Sequence, residues 1–199
     1  MDKRTLVPLA SLAAAALLIL TACGGGGESH EEKKITETIE KAATTSDPGN
    51  CTKLETQRFV EQNAAEKGKT ALETCEREAT EGEDEAKSVA VSDISVNGSD
   101  ATAVAEFEGG SLDSQAIEVE LVEEGGAWKL DYVEGFASYD GKALGKQFER
   151  QFEEEPGDLD HEQAKCIAAK IASASQAEAE ELFFAGSPAK IIQLAKSCA

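Results

Sequence analysis

The sequence predicts an α+β fold: N-terminal helices packed on a curved four-stranded antiparallel sheet, followed by a small helical C-terminal unit stapled by a disulfide. Three observations carry this reading. Up to Ala79 the apolar residues recur at three- and four-residue steps, the helical period. From Lys87 to Tyr132 they alternate with polar residues, and Asn-Gly or Gly-Gly pairs punctuate the runs. After Pro156-Gly157 the helical period returns.

Taken in order, Glu28 to Thr45 carries Ile35 and Ile39 four apart, then Ala42 and Ala43, which makes a narrow apolar stripe on a helix. Pro48-Gly49-Asn50 stops it. Thr52-Lys53-Leu54-Glu55 has the spacing of a capping box and predicts a second helix, with Leu54, Phe59 and Val60 facing inward. Thr70 to Ala79 is a third, short helix carrying Leu72 and Cys75. Glu81-Gly82-Glu83-Asp84-Glu85 is an acidic connector that lacks the alternating ligands of a calcium loop.

Val89 and Val91 alternate, then Ile94 and Val96 continue on the opposite parity, so a β-bulge is expected at Ser92-Asp93. Asn97-Gly98 is a hairpin signal. The returning strand puts Ala101, Ala103, Ala105 and Phe107 on one face. The third strand puts Ile117, Val119 and Leu121 inward, with Glu118 and Glu120 outward. The fourth puts Trp128, Leu130 and Tyr132 on one face, with Lys129 and Asp131 on the other. Such a meander has one dry and one wet face. Tyr139 to Glu154 is helical with Leu144, Phe148 and Phe152 at four-residue steps. Leu159 to Ala174 follows, then a helix opened by the capping box Ser175-Gln176-Ala177-Glu178, then one opened by Ser187-Pro188 and ending at Cys198.

The first 27 residues concern location. Lys3 and Arg4 precede an apolar run from Leu6 to Leu20, which is short for a bilayer span. The run ends in Leu20-Thr21-Ala22-Cys23, followed by four glycines. This ending resembles the lipobox of bacterial lipoproteins. The resemblance implies cleavage between Ala22 and Cys23, a diacylglyceryl group on the Cys23 sulfur, and attachment at the extracytoplasmic face of the cell membrane. Residues 1–22 are then a signal peptide, 23–30 a lipidated tether, 31–137 the α+β domain, 138–156 a connecting helix and 157–199 the C-terminal unit. With Cys23 acylated, four of the five cysteines remain, an even number in an oxidising compartment. Four cysteines allow three pairings. Neighbourhood favours Cys51–Cys75 and Cys166–Cys198, since each pair brackets a helical stretch, and each loop closure stabilises by about 3 kcal/mol.

The order of elements over 31–135, the hairpin Val91-Ser92-Asp93-Ile94-Ser95-Val96-Asn97-Gly98, and Gly126-Ala127-Trp128-Lys129-Leu130-Asp131 in the last strand resemble the nuclear-transport-factor-2-like superfamily. That resemblance implies helices wrapped by a bent sheet into a cone. It says little of activity, since such folds host enzymes, binders and scaffolds.

The formal net charge of −20 opposes binding to nucleic acid and to anionic headgroups, so membrane attachment falls to the lipid. His30 and His161 lie outside the core strands, no C-x-x-C spacing is present, and neither a G-x-S-x-G elbow nor a phosphate-binding loop occurs. No catalytic residue, metal or cofactor is therefore expected. A hollow behind the small Ala101, Ala103 and Ala105, lined by Phe59, Phe107, Trp128 and Tyr132, would accept a small apolar ligand. The expected function is a membrane-anchored extracytoplasmic lipoprotein serving as a non-catalytic ligand- or protein-binding module of the cell envelope. Its alternatives are an enzyme of the same fold acting on a small hydrophobic substrate, with Asp93 or Tyr132 handling the proton, and a structural partner in an envelope complex bound through the tail.

Overall fold

The computed structural model describes residues 29–81, 85–154, 160–184 and 188–198. Ala22 and Cys23, with the rest of the expected signal peptide and tether through Glu28, lie outside the described residues, as does most of the acidic connector. Among the described residues four helices come first: α1 (His30–Thr44), the single turn α2 (Asn50–Lys53), α3 (Gln57–Ala64) and α4 (Gly68–Glu81). The strands β1 (Ser88–Asn97), β2 (Asp100–Glu108), β3 (Ala116–Glu124) and β4 (Ala127–Ser138) form an antiparallel meander in the order β1-β2-β3-β4. Helices α5 (Gly141–Glu154), α6 (His161–Ser173), α7 (Gln176–Phe183) and α8 (Pro188–Lys196) close the chain. The fold is α+β.

Bulges give the sheet its curvature, because each inserts one residue against a partner strand and sharpens the twist. In β1 the register slips between Ser92 and Ser95, where Asp93 takes φ 51°, a left-handed conformation that Asp tolerates better than most residues. The hairpin that follows turns on Gly98 and Ser99, with Asn97 paired to Asp100, so the positive φ falls on Gly98. In β4 the pairing with β3 slips three times, leaving Asp131, Glu134 and Ala137 each without an opposite residue. Every slip reverses which side chains face inward. Trp128 and Leu130 therefore face the core and are followed by Val133 and Phe136, while Tyr132 is turned to the outer face opposite Glu120.

One hydrophobic cluster joins Ile35 and Ile39 of α1, the inner residues of the sheet, Leu144 of α5, Ile167 and Ile171 of α6 and Ala179 of α7. The tail helices thus share the core of the sheet. Trp128 is 3 % exposed and packs beneath the first turn of α1, its indole Nε1 donating to Glu31 Oε2 at 2.8 Å. The two disulfides are Cys51–Cys75, joining α2 to α4, and Cys166–Cys198, joining α6 to the residue beyond α8.

An edge strand leaves a row of backbone groups unpaired. On β4 they are covered by other means. Leu130 pairs with the segment before α3, Gln62 bonds both the N–H and the C=O of Val133, and Glu180 and Gln176 of α7 take the N–H and C=O of Phe136.

The expected second helix is the main local correction. Thr52-x-x-Glu55 does not open a helix. α2 already begins at Asn50, the chain is extended at Glu55, and Thr56 is the residue that caps α3, its Oγ1 accepting from Phe59 N. Pairing with β4 outweighs the local preference for helix here.

Candidate functional site

Glu55 is brought to the site by the edge of β4. Thr56 N donates to Leu130 O at 2.9 Å, and Leu130 N donates to Leu54 O at 2.8 Å, which makes Glu55 and Leu130 a parallel bridge. Paired residues of adjacent strands project to the same side of a sheet, so Glu55 follows Leu130 inward. A clip on the outer face fixes this segment. Thr56 Oγ1 donates to Asp131 Oδ1 at 2.8 Å, and Arg58 reaches Asp131 Oδ2 at 2.6 Å and Glu120 Oε2 at 2.8 Å. The Arg58 guanidinium also lies 4.0 Å above the centre of the Tyr132 ring.

Behind Glu55 is an apolar cavity of about 270 Å³. Ile39 of α1, Phe59 of α3, Ala105 and Phe107 of β2, Leu130 of β4 and Phe184 beyond α7 are among its walls. A second, more polar lobe of about 280 Å³ adjoins it and shares Ala42, Ala43, Glu55, Asn63, Phe107 and Leu112. Asp47, Asn50, the Cys51–Cys75 disulfide, Glu78 and Glu85 line this outer lobe.

Glu55 stands where the lobes meet. Burial pushes its carboxyl up to about 7, because a carboxylate loses hydration there faster than the site replaces it. Cys75 Sγ lies 3.5 Å from Glu55 Oε2, and a disulfide sulfur has no hydrogen to donate. Cys51, Glu55 and Cys75 bring one ligand atom each within 4.8 Å of one another, but both sulfurs are spent on the disulfide and offer no thiolate to a metal. Asn50 is 4 % exposed; its amide donates to Thr45 O and Oγ1, and its Oδ1 is buried with no partner.

Of the four aromatic residues expected around a hollow, Phe59 and Phe107 line the cavity, and Trp128 and Tyr132 do not. Trp128 fills the core below α1, and Tyr132 is carried outward by the bulge at Asp131. Asp93 is exposed on β1 and lines neither lobe. Asp131 was expected to be exposed, yet its side chain is only 16 % accessible beneath Arg58. Glu55, Phe184 and Asn63 are among the wall residues that the sequence does not place there. Glu55 was hidden by its apparent place in a capping box. Phe184 arrives from the C-terminal helices and packs on Phe136 with the rings tilted by 54° and their centres 4.8 Å apart. Asn63 lines both lobes one turn beyond Phe59 on α3, where helical spacing from Phe59 would have placed it.

The site is thus an apolar cavity with one half-buried carboxyl in its wall, set between the helices and the inner face of the sheet. No family model matches the chain, and neither a curated protein nor a solved structure matches it.

Proposed function

We propose that this chain is a lipid-anchored, extracytoplasmic binding module of the bacterial envelope, with a nuclear-transport-factor-2-like cone that takes a small apolar ligand. The observation that carries the ligand reading is the apolar cavity of about 270 Å³ with Glu55 in its wall. Its size and aromatic lining suit a small molecule. The leader and Leu20-Thr21-Ala22-Cys23 support the location, and the two disulfides agree with an oxidising compartment.

Native mass spectrometry of protein extracted from its own envelope should find a small molecule retained, and Phe107→Trp, which narrows the cavity, should weaken its retention. Protein that carries nothing, and that binds no hydrophobic probe, would refute the ligand reading. Cys23→Ala should leave the precursor uncleaved and without the acyl mass, and normal processing of that variant would remove the anchor.

A second reading has one observation in its favour. A carboxyl pushed up to about 7 inside an apolar cavity is poised for general acid–base chemistry. In an enzyme of this fold Glu55, rather than Asp93 or Tyr132, would handle the proton. Turnover of a bound substrate that stops in Glu55→Gln is the result that would favour it.

A further inference from the structure

The charged groups of the two lobes are of one sign. The charged residues lining them are Asp47, Glu55, Glu78 and Glu85, and among the described residues no Lys, Arg or His joins them. Asp47 Oδ1 accepts from Gly49 N and a Glu85 oxygen accepts from Ser46 N, whereas no donor from the described residues reaches the Glu55 carboxyl. A carboxylate held out of water without a donor costs free energy. That cost falls if the ligand brings a donor and a positive charge. An anionic ligand would add its own desolvation to repulsion from four acids.

From this geometry we infer that the cavity selects a cationic amphiphile: an apolar chain or ring that fills the inner lobe, and a protonated nitrogen that sits beside Glu55, where the two lobes share their walls. This rests on the ligand-binding reading above and assigns the chemical class of the ligand. Free fatty acids and phosphate-headed lipids are the classes it excludes. Binding is also pH-dependent. The titratable groups that line the lobes with Glu55 are Asp47 between α1 and α2, Glu78 of α4 and Glu85 ahead of β1, and all three are acids. Glu78 is also paired with Arg77 at 3.7 Å. Raising the pH through 7 ionises Glu55 and strengthens the pairing, until the ligand's own amine loses its proton.

The test is equilibrium dialysis of the full chain in lipid nanodiscs, with empty nanodiscs as the blank, against three probes that share an apolar body. These are 2-phenylethylamine as the cation, 2-phenylethanol as the neutral and 3-phenylpropionate as the anion. At pH 8 the amine should bind at least tenfold tighter than the alcohol, and the carboxylate most weakly. At pH 6 the advantage of the amine should shrink several-fold. Glu55→Gln should abolish the preference for the amine over the alcohol, both measured in that variant, and Glu55→Asp, which keeps a charge, should retain part of the preference. An amine that binds no better than the alcohol, or a carboxylate that equals it, overturns the inference while the cavity reading survives. Absence of binding by all three overturns both. Loss of alcohol binding in Glu55→Gln would make Glu55 a structural residue and also defeats the inference.

Discussion

Glu55 is a single residue whose burial has a measurable sign. The folded protein holds its proton up to about pH 7, whereas the unfolded chain releases it near the ordinary value of 4.5. Folding therefore takes up a proton between those values, and stability falls as pH rises through that window. The contribution is complete below about 4.5 and gone above about 7. A tenfold difference in proton affinity corresponds to about 1.4 kcal/mol, so the buried carboxyl contributes about 2–3 kcal/mol after allowance for the cavity's contact with solvent. Glu55→Gln cannot titrate. Urea denaturation with the disulfides intact should find the variant close to the parent near pH 4.5 and more stable by about 2–3 kcal/mol at pH 8. Parallel pH profiles for the two proteins would contradict the placement of this carboxyl. The same residue shows why the site was only partly legible in the sequence. Thr52-x-x-Glu55 satisfies a local helix signal, and only the hydrogen bonds to Leu130, 75 positions from Glu55, draw the segment into an extended form. Phe59 and Phe107 could be placed from periodicity because their own elements run without a slip up to the cavity.

Whole elements were legible wherever their pattern was carried by residues with one preference. The bulge in β1 could be read because Val89 and Val91 change parity to Ile94 and Val96, all apolar. In β4 the first slip is masked, since Tyr132 continues the series of Trp128 and Leu130 as plausibly as Val133 interrupts it. A tyrosine has an apolar body, and here it serves the outer face as the platform under Arg58. The α5–α6 contact is another property that hydrophobic spacing does not reveal. It depends on absent side chains: Gly141 and Gly145 lie one turn apart on α5, against Ala168 and Ala172 of α6. A Cβ at position 145 would lie 2.5 Å from Ala168 O and 3.0 Å from Ala172 N, and neither backbone atom can swing away. Gly145→Ala improves helix propensity by about 1 kcal/mol, but forcing the helices apart costs about 1–3 kcal/mol. The clash outweighs the gain in propensity. The variant should melt several degrees lower, and scanning calorimetry that finds it unchanged or more stable would refute the close approach.

At the scale of the molecule, the C-terminal helices complete both the sheet edge and the cavity. Gln176 and Glu180 satisfy β4 at Phe136, and Phe184 closes one cavity wall, so α7 must stay docked for the site to exist. The Cys166–Cys198 disulfide spans α7 and α8 and ties the far end of the chain back to α6, whose Ile167 and Ile171 are core residues. With a sequence separation of 32, its chain-entropy contribution is about 3–4 kcal/mol. The double substitution Cys166→Ser, Cys198→Ser removes that constraint and leaves Cys51–Cys75 intact. Loss should be graded along the chain. Amides of α8 should exchange fastest, because its packing leaves Ile192 half exposed. Those of α7 and of Phe136 should lose part of their protection, and the central strands β2 and β3 should follow the lowered global stability. Hydrophobic probe binding should weaken along with α7, since the wall at Phe184 loosens before the sheet does. Hydrogen exchange that leaves α7 and α8 as protected as in the parent, with probe binding intact, would show that the tail docks without its staple.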